Sequence, residues 1–445
     1  MAKQHDIPSV KKIFLSSNVG NDPKLAEYLD TATGKLNQRF GKENVAQSNG
    51  SYTFSMTNLE ERIVKRGDAF VFMPIPEKIG ELGAKDAPDF FREMFKAASL
   101  VVGRQTKDPY LRLNHEDPQS PWKPVVLVTQ GSKCWDPFIE MMDHLHKLGT
   151  IVQDPKELLQ MVSSNEEALK ILETAHEQKL ASRSAHRAHH ETHDAPFEHD
   201  PSVDRKPDFN VCVFCSASTK DPNLLQAGED LGKKIAHKGW GLISGMGRTG
   251  IMGSVVRGAA SAIKDEGKGW VGGSNLKRII DMEGTPDYCD KFWERPDIYS
   301  RMEVMIKESQ AFVIMPGGMG TVQELLALLL LKHTHEKHPE ADDLMRDELF
   351  GNKKIIIVNE IMKNRDGSVM TYPKGHDKAG KPVRFWDKLQ EFAVKYGFDR
   401  EVKFVDSIDG AMEKLEKQHK AHLSRATERL MAARENDTDA AGLLR

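Results

Sequence analysis

A chain of 445 residues exceeds what one hydrophobic core usually organises, so two or three domains are expected. A formal net charge of −3 gives no basis for a nucleic-acid partner, and no run of eighteen apolar residues is present to span a membrane. Four cysteines do not make a disulfide framework, and the opening Met1-Ala2-Lys3-Gln4 lacks the apolar core of a signal peptide, so a cytoplasmic protein is expected.

Residues 1 to 10 read as a loose tail. Lys12 to Ser16 reads as a strand, and Asp22-Pro23 as the cap and first turn of a helix to Phe40. Glu60 to Lys65 reads as helix, Ala69 to Met73 as strand, Phe90 to Leu100 as helix, Pro124 to Thr129 as buried strand and Pro137 to Lys147 as helix. The same order returns in the second half. Asp208 to Cys215 is a strand, Asp221-Pro222 opens a helix to His237, Trp240 to Ser244 is a strand and Gly250 to Ile263 a helix. A helix from Tyr299 to Ser309, the strand Ala311 to Ile314, the strand Lys354 to Asn359 and the helix Phe385 to Tyr396 follow. Alternation of this kind predicts two Rossmann-like, doubly wound parallel-sheet domains.

Short matches in conserved order suggest an internal duplication. Phe14-Leu15-Ser16-Ser17 before Asp22-Pro23 parallels Phe214-Cys215-Ser216-Ala217 before Asp221-Pro222. Asp68 to Pro74 parallels Gln310 to Pro316, and Trp135-Asp136 parallels Trp386-Asp387. The boundaries expected are 1–162 for a degenerate first copy, 163–208 for a helical and His-rich linker, 209–410 for the second domain and 411–445 for a C-terminal helix and tail. Glu166 to Ala181 can be helical within that linker, and His186 to His199 holds five histidines with no core to fix them, so it reads as solvated rather than metal-binding. The C-terminal helix has partial apolar spacing at Met412, Leu415, Leu423 and Leu430 and can pack on its own domain or on a partner subunit. Segments 332–352 and 363–382 are long enough to be lids or plain surface insertions.

The stretch with chemical content is Met315-Pro316-Gly317-Gly318-Met319-Gly320-Thr321-Val322-Gln323-Glu324. It lies between a buried strand and the apolar run Leu325 to Leu331. Three glycines allow close approach of the backbone and positive φ, and the first amides of the following helix favour an anion. The Thr321 hydroxyl adds a donor, and the Glu324 carboxylate lies one turn further on. A second glycine loop, Ser244 to Gly253, also joins strand to helix; its spacing alone would suit a dinucleotide, but no acidic residue closes a next strand at the usual distance.

The pattern Arg301-x3-Met305-x10-Pro-Gly-Gly-x-Gly-Thr-x2-Glu324 resembles the signature of the Lonely Guy (LOG) family, cytokinin riboside monophosphate phosphoribohydrolases often labelled lysine decarboxylases. The resemblance runs from Val211 to Phe398. It implies catalytic roles for Arg301 and Glu324, a phosphate cradle at Gly317, Gly318, Gly320 and Thr321, and a nucleoside end lined by Ser218, Gly245, Gly247 and Thr249. It also implies cleavage of a nucleoside 5′-monophosphate to free base and ribose 5-phosphate without metal or organic cofactor, and a homo-oligomer with the site near a subunit interface. A tandem copy could then act as a built-in partner. The sequence departs from the family at Met302, where a lysine is usual, at Cys215-Ser216-Ala217-Ser218 and at Gly245-Met246-Gly247, which bears on substrate preference. In the first copy Ile75-Pro76-Glu77-Lys78 replaces the glycine turn, and Leu59 and Leu82 stand where Arg301 and Glu324 would fall. Cys212-x2-Cys215 reads as core packing, and His333, His335 and His338 as surface residues. The alternative to hydrolysis is a non-catalytic nucleotide sensor or carrier; a scaffold is a third reading.

Overall fold

The structure is a computed structural model that describes residues 13–16, 23–48, 64–75, 87–181, 207–337, 353–364 and 366–442. Asp22, Leu59, Leu82, the His-rich run 186–199 and His338 lie outside the described residues, as does most of 332–352.

The first domain contains β1 (Ile13–Ser16), α1 (Pro23–Phe40), β2 (Val45–Ser48), β3 (Ala69–Phe72), α2 (Ala87–Gln105) and β4 (Val125–Val128). It continues through α3 (Asp136–Lys147), the single turn α4 (Pro155–Leu158), β5 (Gln160–Val162) and α5 (Asn165–Ala181). Its strands pair in parallel in the order β2-β1-β3-β4-β5. Helix α5, expected within the connecting segment, packs on this sheet through Ala168 and Leu172 and ties back to it through the Lys179–Asp68 ion pair at 2.5 Å.

The second domain runs β6 (Asn210–Phe214), α6 (Pro222–His237), β7 (Gly241–Ser244), α7 (Gly250–Glu266), β8 (Trp270–Asn275), α8 (Lys277–Glu283) and β9 (Lys291–Glu294). It continues α9 (Ile298–Lys307), β10 (Ala311–Ile314), α10 (Met319–Lys337), β11 (Lys354–Val358), α11 (Asp387–Tyr396), β12 (Val402–Val405) and α12 (Ile408–Gly442). The seven strands are all parallel, in the order β12-β11-β10-β6-β7-β8-β9. The chain reverses direction across the sheet between β10 and β7, and the carboxyl ends of β6 and β10 stand at that switch point, where open α/β sheets bind ligands. Caps follow the sequence. Asp221 accepts from the Asn223 and Leu224 amides at 2.8 and 3.3 Å, and Asp297 accepts from those of Tyr299 and Ser300 at 2.9 Å each.

Several strands escaped the sequence reading. β8 contains Gly272 and Gly273, which suggest a turn, yet it is buried throughout; a Cβ at Gly273 would lie 2.1 Å from the Ser244 carbonyl oxygen. β9 is a half-buried edge with a lysine and a glutamate at its ends. The segment 366–382 folds onto its own domain. Antiparallel bridges join Lys363 to Val369 and Thr371 to Pro382, and the Tyr372 hydroxyl donates to Asp387 at 2.7 Å. The start of α12 also packs on its own domain, burying Ala411, Met412 and Leu415. No described helix is long and apolar enough to cross a membrane.

The two domains share one core. Helix α10 is apolar on every side, and Leu325 to Leu331 are each at most 3% exposed. A helix of that kind must be covered all round. Its own sheet covers one side and α2 of the first domain covers another, with a buried hydrogen bond from Gln323 Nε2 to Ser99 Oγ at 2.9 Å. Phe90 and Phe91 pack on Tyr396 and Phe398, with centroids 4.7 and 5.5 Å apart. The Tyr396 hydroxyl donates to the Cys134 carbonyl at 2.5 Å.

A titratable contact lies in this interface. His144 Nε2 donates to the Phe385 carbonyl at 3.0 Å, and burial pushes the imidazole below its ordinary 6.5 despite that carbonyl. The unfolded chain therefore binds this proton more readily than the folded one. The stabilisation is complete above pH 6.5 and is lost as pH falls through the lowered value. Denaturant titrations should show stability falling on acidification below pH 6.5, and His144→Gln should flatten that part of the profile.

Candidate active site

Paired registers bring the site loops together. Ile314 stands opposite Phe214, the Met315 amide donates to the Phe214 carbonyl at 2.9 Å, and the Ser216 amide donates to the Pro316 carbonyl at 3.0 Å. The turn after β10 and the turn after β6 therefore leave the sheet side by side. A cavity of about 550 Å³ opens between them, within the range of small-molecule sites.

Arg301, Glu324, Ser218, Gly318, Gly320 and Thr321 all line this cavity. Arg301 projects from α9. Its Nε donates to the Ser274 carbonyl at 2.9 Å and its Nη2 to the Gly245 carbonyl at 3.0 Å, which fixes the plane of the guanidinium. Glu324 lies in the first turns of α10 and is 7% exposed. Behind them, burial together with the Glu324 charge pushes the Cys212 thiol well above its usual range, so this cysteine stays a neutral core group. Cys215 is also buried, but it reaches the cavity wall. No group of three metal-ligating side chains occurs among the described residues.

The other expected residues are not among those lining the cavity. The Gly245 carbonyl orients Arg301, and a Cβ there would fall 2.1 Å from Arg301 Nη2. The Gly247 amide points at Met252 Sδ at 2.9 Å, and Thr249 Oγ1 donates to the Ala217 carbonyl at 2.6 Å. Gly317 packs against Thr321. Positive φ was expected in the glycine turn, yet Gly317, Gly318 and Gly320 all have ordinary φ. What excludes a side chain is close approach: a Cβ at Gly318 would lie 2.7 Å from the Thr150 carbonyl oxygen.

Thr150 belongs to the first domain, and this wall was not foreseen residue by residue. Val102, Arg104, Gln105, Thr106, Lys107 and Arg112 also line the cavity, with Trp122, Val152 and Gln153. Asp108, 2% exposed, pairs with Arg278 of α8 at 2.9 Å and pins this wall to the second domain. The Arg104 guanidinium donates to the Leu158 and Lys123 carbonyls, and burial lowers its pKa to about 10. Among the described residues, the charged side chains on the cavity are thus Arg104, Lys107, Arg112 and Arg301 against Glu324, a balance suited to an anionic ligand.

A glycine turn, an anchored arginine and a buried glutamate thus line one cavity at the switch point of a parallel α/β sheet. The family described as "possible lysine decarboxylase" matches residues 252–346. The cytokinin riboside 5′-monophosphate phosphoribohydrolase of Mycobacterium tuberculosis is 34% identical over 123 residues, which is 28% of this chain and 63% of that protein. A probable enzyme of the same name from Arabidopsis thaliana is 34% identical over 121 residues, 27% of this chain and 58% of that protein. The chain thus spans less than two thirds of the length of these curated relatives. Among solved structures, the molybdenum cofactor binding protein of Rippkaea orientalis is 20% identical, covering 48% of this chain and 97% of that one with a TM-score of 0.31. The second domain is thus similar in sequence to the Lonely Guy phosphoribohydrolases over about a quarter of the chain.

Gly318→Ala should cost about 1–3 kcal/mol of stability by overpacking against Thr150, whereas Gly320→Ala, whose Cβ meets nothing within 4 Å, should be close to neutral. Chemical denaturation of both variants checks the contrast.

Proposed function

We propose that the second domain hydrolyses the N-glycosidic bond of a purine nucleoside 5′-monophosphate, AMP or an N6-modified AMP, giving free base and ribose 5-phosphate. The observation that carries this reading is that Arg301 and Glu324 face the same cavity as the Gly318–Thr321 cradle. A pure phosphate binder needs the cradle but not a buried carboxylate beside it. The relatives bear the name of this activity.

In this reading the 5′-phosphate rests on the amides at the start of α10 and the Thr321 hydroxyl. As the N9–C1′ bond breaks, positive charge builds on the ribose, and the Glu324 carboxylate stabilises it at short range in a low-dielectric pocket. The same carboxylate orients water for attack on C1′. The water oxygen bonds to C1′ and one water proton ends on the departing base. Arg301, held by two carbonyls, positions the substrate. The mechanism uses no metal or organic cofactor.

The tandem arrangement belongs to the same proposal. The first sheet's order β2-β1-β3-β4-β5 matches β7-β6-β10-β11-β12, which supports a duplicated origin. Helix α10 already meets α2 within the chain, so a homo-oligomer would assemble through another face.

Glu324→Gln should lower base release by about 10²–10⁴-fold while ribose 5-phosphate still binds. Release from a panel of nucleoside 5′-monophosphates, followed by chromatography, checks this. Tight nucleotide binding by wild type with no release from any monophosphate would favour the non-catalytic sensor or carrier instead.

A further inference from the structure

The first domain closes the cavity at two places. The 150–153 segment stands over the phosphate turn, because the Thr150 carbonyl is the atom a Cβ at Gly318 would meet. The 105–112 segment stands over α8, because Asp108 pairs with Arg278 there, and the next residues of that helix, Ile279 and Met282, line the cavity. One of these places belongs to the cradle. The other lies beside an apolar helix face, with Met282 half exposed.

What the first domain presents near α8 is a flat, fixed surface. Arg112 and Trp122 form an antiparallel bridge. The Leu113 amide donates to the Pro121 carbonyl at 2.9 Å and the Lys123 amide donates to the Leu111 carbonyl at 2.8 Å, so the pair sits on a braced hairpin. The Arg112 guanidinium centre lies 4.0 Å over the Trp122 ring, and its Nη1 donates to the Ser120 carbonyl. Both side chains line the cavity and neither is fully buried. An arginine stacked on tryptophan offers a planar, polarisable surface, the kind on which heteroaromatic rings stack. A fixed surface also loses little side-chain entropy on binding.

Resting on the reading above, we propose that the degenerate first domain reads the base: the Arg112–Trp122 shelf, on the cavity that Ile279 and Met282 also line, is the stacking wall for the purine ring. Catalysis then stays with Arg301 and Glu324, while base selectivity resides in a domain that carries no glycine turn of its own. Trp122 and Arg112 are specificity-determining residues on this account.

The test is calorimetric binding of AMP and of ribose 5-phosphate to the full chain in a Glu324→Gln background, which slows turnover. Trp122→Ala should weaken AMP about tenfold or more, the range of base–aromatic stacking, and leave ribose 5-phosphate unchanged; Trp122→Phe should retain AMP affinity. Equal losses for both ligands would mean the hairpin only shapes the cavity, and would overturn the proposal. So would unchanged AMP affinity, or a parent protein that binds AMP no better than ribose 5-phosphate. The reaction itself is judged separately by base release from wild type. Trp122-dependent AMP binding without release would keep the base wall and remove the hydrolase.

Discussion

The structure depends on the burial of α10. Its run from Leu325 to Leu331 has no polar side, so it is stable only between two apolar surfaces. Helix α2 supplies one surface, and the buried side chains of the second domain's sheet share the same core. Complete burial of each such side chain is worth about 1.5–3 kcal/mol, which fastens the two domains into one core. The same contact fixes the active cavity. Ser99, late in α2, bonds Gln323, early in α10, so the end of α2 lies against the start of α10. The segment leaving α2, from Gln105 to Arg112, has to pass the phosphate turn.

That geometry explains how a domain without the motif can belong to the site. The glycine turn, Arg301 and Glu324 come from the loop after β10, from α9 and from α10, all in the second domain. The opposite wall comes from the first. The first domain itself holds a buried Lys96–Glu93 pair at 2.9 Å, with Lys96 donating to the Ser16 hydroxyl. Buried charges of this kind need their partners.

Much of this was legible in the sequence because it is local. Val, Ile and Phe runs fixed the buried strands Val125–Val128 and Ala311–Ile314, Asp-Pro pairs marked helix starts, and the glycine turn, Arg301 and Glu324 fall on one cavity. Two things were not local. β8 has a glycine pair that reads as a turn, and only its neighbours Ser244 and Trp270 show why side chains are excluded. Trp122 and Arg112 carry no motif, and they reach the cavity only through docking of α2 on α10. The one available signal was α10 itself: a helix apolar all round announces a second cover, though not which residues arrive with it.

Photolabelling with 8-azido-AMP, followed by peptide mapping, tests the two-domain cavity most directly. The account predicts label in the 105–122 region of the first domain, blocked by excess AMP. Label confined to the second domain, around Ser218 to Met252, would contradict it.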